Sequence, residues 1–306
     1  MRYAAAICIS AVLLAVCSAG ADTINVPGDH PTIGQAVAAA GAGDTIAIAP
    51  GVYAEGNIYI GSPNLTITGA LNADGSPAVT IDGSGVNDIL IAIGVVGSNG
   101  ATVQNIIFTG SLGNSLWIYH MDPVIRNCVF TGIDASVQGA AIWSSDSQAL
   151  IEDCRFVGND AGDSGNILFN KSISGDNPGL LARNCVFEDN QGYAIAQIQF
   201  TTTEIQDCTF RNNTAVGVVS TFGSGGLVSV SETLFCENDG GVDINGPWID
   251  GGGNQFEDEC PAGCLGDVTG DGAVNVTDLL AVISGWGDPY SVSDLLDVIA
   301  GWGACD

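Results

Sequence analysis

The sequence predicts an all-β right-handed parallel β-helix, a solenoid of stacked three-strand coils, and three observations carry that expectation. A hexapeptide motif recurs six times: VQNIIF from Val103, IRNCVF from Ile125, IEDCRF from Ile151, ARNCVF from Ala182, IQDCTF from Ile205 and VSETLF from Val230. Its closing residues Phe108, Phe130, Phe156, Phe187, Phe210 and Phe235 lie 22, 26, 31, 23 and 25 residues apart. That is the period of a unit that buries its apolar face only by stacking on its neighbours. A second short apolar strand follows each motif, LWIY at 116, AAIW at 140, ILF at 167, AIAQI at 194, VGVV at 216 and VDI at 242, with no helix between.

The chain opens with Met1, Arg2 and the apolar run ICISAVLLAVC, followed by Ser18, Ala19, Gly20 and Ala21. This pattern predicts a secretory signal over 1–21, too short in its apolar run for a spanning helix, which needs about 20 residues. A lipid anchor on Cys17 is the alternative, with bulky Val16 where such sites carry a small residue. An extracellular, soluble protein follows, with no membrane insertion. Cleavage would remove Arg2 and leave 34 acidic against 5 basic residues, a formal charge of about −29. Nucleic acid and anionic membranes need basic patches and are excluded as partners. A polyanionic glycan would be repelled unless calcium bridged it.

Pro31–Ala40, PTIGQAVAAA, reads as an N-terminal capping helix with Ile33, Val37 and Ala40 on one face. Upstream strands TIAIA at 45, NIYI at 57, LTITG at 65, VTIDG at 79 and ILIAI at 89 supply the first coils, so the solenoid spans about 44 to about 258. At this point the chain resembles the pectin-lyase-like superfamily of secreted β-helix proteins, and VPGDHPTIGQAVAAAGAGDTIAIAPGVYAE looks like the opening of pectin methylesterases. The resemblance implies polysaccharide laid along one sheet. The esterases' downstream segments, with paired Asp and Gln and an Arg, are not found.

Inside the motif, Ile125, Cys128 and Phe130 cannot share a face of one straight strand. A one-residue left-handed bend at Asn127 resolves this, a conformation that Asn and Asp tolerate. Stacking then aligns Asn105, Asn127, Asp153, Asn184 and Asp207 at the bend, where Asn can bond up the stack and aligned acids cannot. The column of Cys128, Cys154, Cys185 and Cys208 reads as small buried hydrophobes in preference to disulfides. One thiol per coil makes no tetrahedral metal site.

The resemblance would also imply a basic or acidic catalytic group. Arg126, Arg155, Arg183 and Arg211 lie beside the bend and read as scattered surface charges, while Lys171, in the loop KSISGDNPG, stays open. His30 belongs to the cap and His120, near Asp122, to a strand end; neither precedes Gly, and no Ser-His-Asp or Cys-His set is legible. Trp117, Tyr119 and Trp143 point outward if Leu116 and Ile118 point inward. They form a sugar-stacking surface, or else an exposed hydrophobic patch or aromatic packing under a loop.

Near the C-terminus, DVTGDGAVNVTD has the ligand spacing of a twelve-residue calcium loop: Asp267, Thr269, Asp271, the Ala273 carbonyl, Asn275 and Asp278, with Gly272 at the sharp turn. DLLAVISGWG follows, and DLLDVIAGWG sixteen residues later. Leu279, Ile283 and Trp286, like Leu295, Ile299 and Trp302, share helical faces expected to pack together. Residues 265–303 resemble a type I dockerin, an EF-hand-like module that binds cohesin domains. The second copy has only DPYSVSD where an ion loop would stand. Within this reading Cys264 would pair with Cys305, and Cys236 with Cys260. The expected organisation is a signal over 1–21, a β-helix over 22–258 and a calcium-binding module over 259–306.

Three functions compete. One is a carbohydrate-associated β-helix delivered to a complex or surface, with polysaccharide and a cohesin-like or cell-surface protein as partners. The second is a noncatalytic adhesion solenoid using the tail as a sorting tag, and the third a polysaccharide lyase or glycoside hydrolase.

Overall fold

The computed structural model describes residues 21–84, 89–94, 100–162, 165–172, 179–198, 200–214, 218–222, 226–239, 242–260, 273–274, 276–284, 295, 298–299 and 302–304. Residues 1–20 of the expected signal over 1–21 lie outside them, as do Cys264 and Cys305.

Each coil contributes one strand to each of three parallel sheets, which contain ten, nine and eight strands. Sheet 1 runs from Thr23–Val26 to Trp248–Asp250, sheet 2 from Gly51–Tyr53 to Gln255–Glu257, and sheet 3 from Ile58–Ile60 to Ile244–Asn245. Thr23–Val26 pairs with Thr45–Ile48, so the solenoid begins earlier than residue 44. The reason is local: TINV buries Val26 and supplies the edge on which the next rung pairs.

A single-residue bend joins sheets 1 and 2 in every motif. Asn105, Asn127, Asp153, Asn184, Asp207 and Glu232 all have φ between +47° and +61°. Two bonds climb this column, Asn127 Nδ2 donating to Asn105 Oδ1 at 2.9 Å and Asn184 Nδ2 to Asp153 Oδ1 at 2.7 Å. At Asp153 the neighbouring Asn184 supplies the proton that a pair of stacked carboxylates would lack.

The bend turns the following residue inward. Phe108, Phe130, Phe156, Phe187, Phe210, Phe235 and Phe256 stack at 4.5–5.0 Å between centroids and within 10° of parallel. All but Phe256 are fully buried, so hydrophobic transfer supplies most of their stabilisation, with about 0.5–1.5 kcal/mol added per stacked pair. Cys128, Cys154, Cys185 and Cys208 are buried free thiols. Each donates to the carbonyl two residues back, as Cys154 Sγ does to Glu152 O at 3.2 Å. Thr233 occupies the next rung and makes the same bond to Ser231 O at 2.8 Å. Ile106 fills the same position in the first motif, so the column takes either an apolar side chain or a small one with a donor.

A third column follows each phenylalanine by three residues. Asn159, Asn190 and Asn213 are almost fully buried, and with Asn238 they form a continuous ladder. Asn190 Nδ2 donates to Phe156 O at 2.8 Å and to Asn213 Oδ1 at 2.9 Å, while its own Oδ1 accepts from the backbone and side-chain nitrogens of Asn159.

The four arginines are organised rather than scattered. Arg126, Glu152 and Arg183 are register partners on sheet 1, and Glu152 accepts from both arginines. On sheet 2 Glu188 lies between Arg155 at 3.5 Å and Arg211 at 2.6 Å. The bond from Arg183, followed by Arg126 and opposed by burial, holds the Glu152 carboxyl below its ordinary value of 4.5.

The expected N-terminal helix forms at Ile33–Ala39 with Thr32 as N-cap, its hydroxyl accepting from Gln35 N at 3.2 Å. Pro31 therefore precedes the cap. Glu55 accepts from Ile33 N and Gly34 N at 2.9 and 3.0 Å, satisfying two donors that the first helical turn leaves open. The buried face is Ile33, Ala36 and Val37; Ala40 leaves the helix in extended conformation.

At the other end Cys236 and Cys260 form a disulfide with Cα atoms 4.8 Å apart, the pairing expected from the sequence. The described C-terminal elements are the helix Val276–Ser284 and an antiparallel pair, Ala273–Val274 with Gly303–Ala304. Val282 and Val298, equivalent positions in the two decapeptides, are fully buried, whereas Ile283, Ile299 and Trp302 are each more than half exposed. Of the expected faces, Ile283, Ile299 and Trp302 thus point outward and Leu279 and Leu295 are half-buried, while Trp286 lies outside the described residues. The inward position is the valine, one residue before each isoleucine.

Asn190→Ala should destabilise the solenoid by about 3 kcal/mol in urea unfolding, because it orphans Phe156 O and the Asn159 donors. No loss would show that this ladder contributes nothing. Glu152 has a lower folded than unfolded pKa, so its stabilisation is present above about pH 4.5 and is lost as pH falls through the folded value. With both arginines nearly half exposed the effect is under about 1 kcal/mol. Glu152→Gln should flatten the stability profile over that window; identical profiles would refute the assignment.

Candidate functional site

Sheet 3 carries a cluster of aromatic and basic side chains on its outer face. Strand Leu116–Tyr119 alternates, with Leu116 and Ile118 fully buried and Trp117 and Tyr119 half-buried on the outside. Trp117 is the register partner of Trp143 one coil on, and their rings stack at 5.2 Å and 4°. Tyr119 stacks on Trp117 at 5.3 Å and meets His120 edge-on at 4.1 Å. Lys171, a further coil along, holds its Nζ 5.1 Å from the centre of the Trp143 ring.

The aromatic faces are therefore engaged with one another and with the ammonium, and each half-exposed ring offers solvent the surface left over. Tyr59, on the same face two coils earlier, is 56% exposed. Two glycines that sequence reading passes over leave room for the row, one under an indole and one beside its backbone. A Cβ on Gly94 would lie 2.9 Å from Trp117 Cζ3. Gly139 has φ +68° in an irregular part of its strand, and a Cβ there would lie 2.7 Å from Trp143 Cα. Any side chain at either position would displace the row.

Lys171 is the chain's only lysine. Among the described residues every ion pair belongs to one of the four arginines, so Lys171 is the basic group set against aromatic surface and not against a carboxylate. Just beyond these strands, Asp146 accepts from the Ser145 and Ser172 hydroxyls at 2.9 Å each, and Asp122 from Gln148 N at 2.9 Å. His120 is exposed and left-handed at φ +55°, whereas His30 sits in the turn before the helix, so the two histidines do not share a site.

Two shallow grooves lie elsewhere, about 240 Å³ beside Leu150, Leu181 and Thr202 and about 220 Å³ beside Glu237, Asp243 and Phe256. Neither is lined by a cation or an indole. Of the calcium-loop residues, Asp267, Thr269, Asp271 and Asn275 lie outside the described residues. Ala273 lies in the short strand and Asp278 in the first turn of Val276–Ser284. Among the described residues no group of three or more His, Cys, Asp or Glu is placed to hold a metal ion, and no helix is long and apolar enough to cross a membrane.

The solved structures to which the chain is similar have low identity to it. A pectin methylesterase variant in complex with a hexasaccharide is 14% identical, covering 73% of this chain and 80% of that chain with a TM-score of 0.44. The pectin methylesterase from Aspergillus niger is 17% identical, covering 90% and 98% with a TM-score of 0.39. No curated protein matches in sequence. The family model for the right handed beta helix region matches residues 69–257, which contain the phenylalanine and asparagine ladders and the aromatic row, and the chain belongs to that family.

Proposed function

We propose that this is an exported polysaccharide-binding β-helix that holds glycan on the outer face of sheet 3 and is attached to a complex or surface by its C-terminal tail. The observation that carries the reading is the row of Tyr119, Trp117 and Trp143 ending in the chain's single lysine. Indole and phenol surface contacts the apolar faces of sugars, and an ammonium with no ion pair among the described residues donates to hydroxyl or ring oxygens. The charge of about −29 on the mature chain disfavours a polyanion, so the ligand is a neutral or sparsely charged polysaccharide. Binding without turnover fits the arginines best, since all four are committed to Glu152 and Glu188.

In this reading residues 1–21 direct export and the helix Ile33–Ala39 closes the first coil. Asp267, Thr269, Asp271, the Ala273 carbonyl, Asn275 and Asp278 would hold one calcium ion, whose bonds would order the loop ahead of Val276–Ser284. Hard oxygens at alternate positions support this, as does Asp278 in the helix's first turn. The partner of the tail is a cohesin-like or cell-surface protein.

Two experiments test the proposal. On a panel of neutral and acidic polysaccharides, with and without calcium, Trp143→Ala and Gly94→Val should each weaken binding about tenfold or more, which corresponds to about 1.4 kcal/mol. Unchanged affinity for both variants would remove the glycan from this face, and release of shortened products would make the protein an enzyme. Asp271→Ala should abolish calcium-dependent thermal stabilisation of the tail; the same calcium titration as the parent protein would refute the ion site.

A further inference from the structure

We infer that the solenoid encloses a file of ordered water molecules at the interior corner where sheet 3 leads into sheet 1. The inward column of sheet 3 begins with Ile60, Ile93 and Ile118, register partners on successive coils and all fully buried. From the next coil onward the same column is polar: Ser144, Asn170, Gln197 and Thr221. The first three are fully buried and Thr221 is 9% exposed.

Their hydrogen bonding is incomplete. Asn170 Nδ2 donates to Thr202 O at 3.2 Å and Thr203 Oγ1 at 3.0 Å, but its Oδ1 has no partner. Neither amide atom of Gln197 has one, nor do the hydroxyls of Ser144, Thr221 and nearby Thr201. The lack of partners spans four consecutive coils, while the asparagine ladder across the interior satisfies its side chains rung by rung.

Buried polar groups left dry are strongly unfavourable, and orphans so clustered mark a hydrated site. Water needs two to four polar partners, and the mixed amide and hydroxyl groups offer them. A monovalent cation fits less well, because Gln197 Nε2 is a donor that no cation satisfies. Ser144 and Thr221 are also shorter than the isoleucines that precede them in the column.

The test is a crystal structure of the full chain at better than about 1.2 Å, where hydrogen positions begin to be resolved, read together with thermal unfolding. Ordered waters bridging Gln197 to at least two of Ser144, Asn170, Thr201 and Thr221 are expected. A dry corner with Gln197 bonded directly to Asn170, or octahedral density of a cation, would overturn the inference. Gln197→Met should lower Tm by a few degrees, since the waters lose a ligand, and Thr221→Val should do so more weakly. If both variants melt at or above the parent temperature the corner is dry; if Gln197→Met does not fold, Thr221→Val and the parent crystal decide.

Discussion

Register is the constraint on which this molecule depends: every coil must return to the same azimuth about 4.8 Å above the last, or no column of like residues can form. The left-handed bend enforces it. One residue at φ near +50° swings the chain from sheet 1 to sheet 2 with no slack, so the following Cys and Phe land above their counterparts. A longer or softer corner would let the strands slip. A slip of one residue would put the Phe rings in water and Arg155 or Thr209 in the core.

Other features inherit this geometry. The asparagine ladder bonds only because each amide meets the next at rung distance, and Glu152 is shared by two arginines only because all three occupy one register position on successive coils. On sheet 3 the spacing that stacks Trp117 on Trp143 also brings Lys171 over the ring beyond. The outer face thus combines unlike residues in a row whose pitch is set by the backbone.

Much of this is legible in the primary structure because stacking converts a sequence period into a spatial column. Phe at intervals of 22 to 31, Asn or Asp three residues before it and Cys two before it specify the bend, the interior and the reduced thiols. The buried asparagines carried an equally plain signal, F-x-x-N in FVGN, FEDN, FRNN and FCEN, but polar residues after a strand read as turn. The Arg–Glu–Arg groups were hidden because their neighbouring members are 23 to 33 residues apart, and only register shows that they meet. In the tail the 3.6-residue period fits more than one apolar stripe in a helix this rich in Leu, Val and Ile, and burial selects Val282 over Ile283. Gly94 owes its role to clearance beneath the Trp117 indole and Gly139 to the close approach of the Ile142–Trp143 backbone, which no local pattern encodes.

The asparagine ladder also bears on how such a chain can change length. Between Asn190 and Asn238 successive coils present one another with the same Phe and the same amide, so removing or duplicating one coil would rejoin matching Phe and Asn columns, although the Gln197 and Thr221 corner would have to be re-paired. The row of Trp117, Trp143 and Lys171 has no such freedom, since each coil there contributes a different group and deletion of any one breaks the order. Growth and shrinkage are therefore tolerated by the Phe and Asn columns beyond the coil that carries Lys171, and the aperiodic row marks where the solenoid's length is pinned.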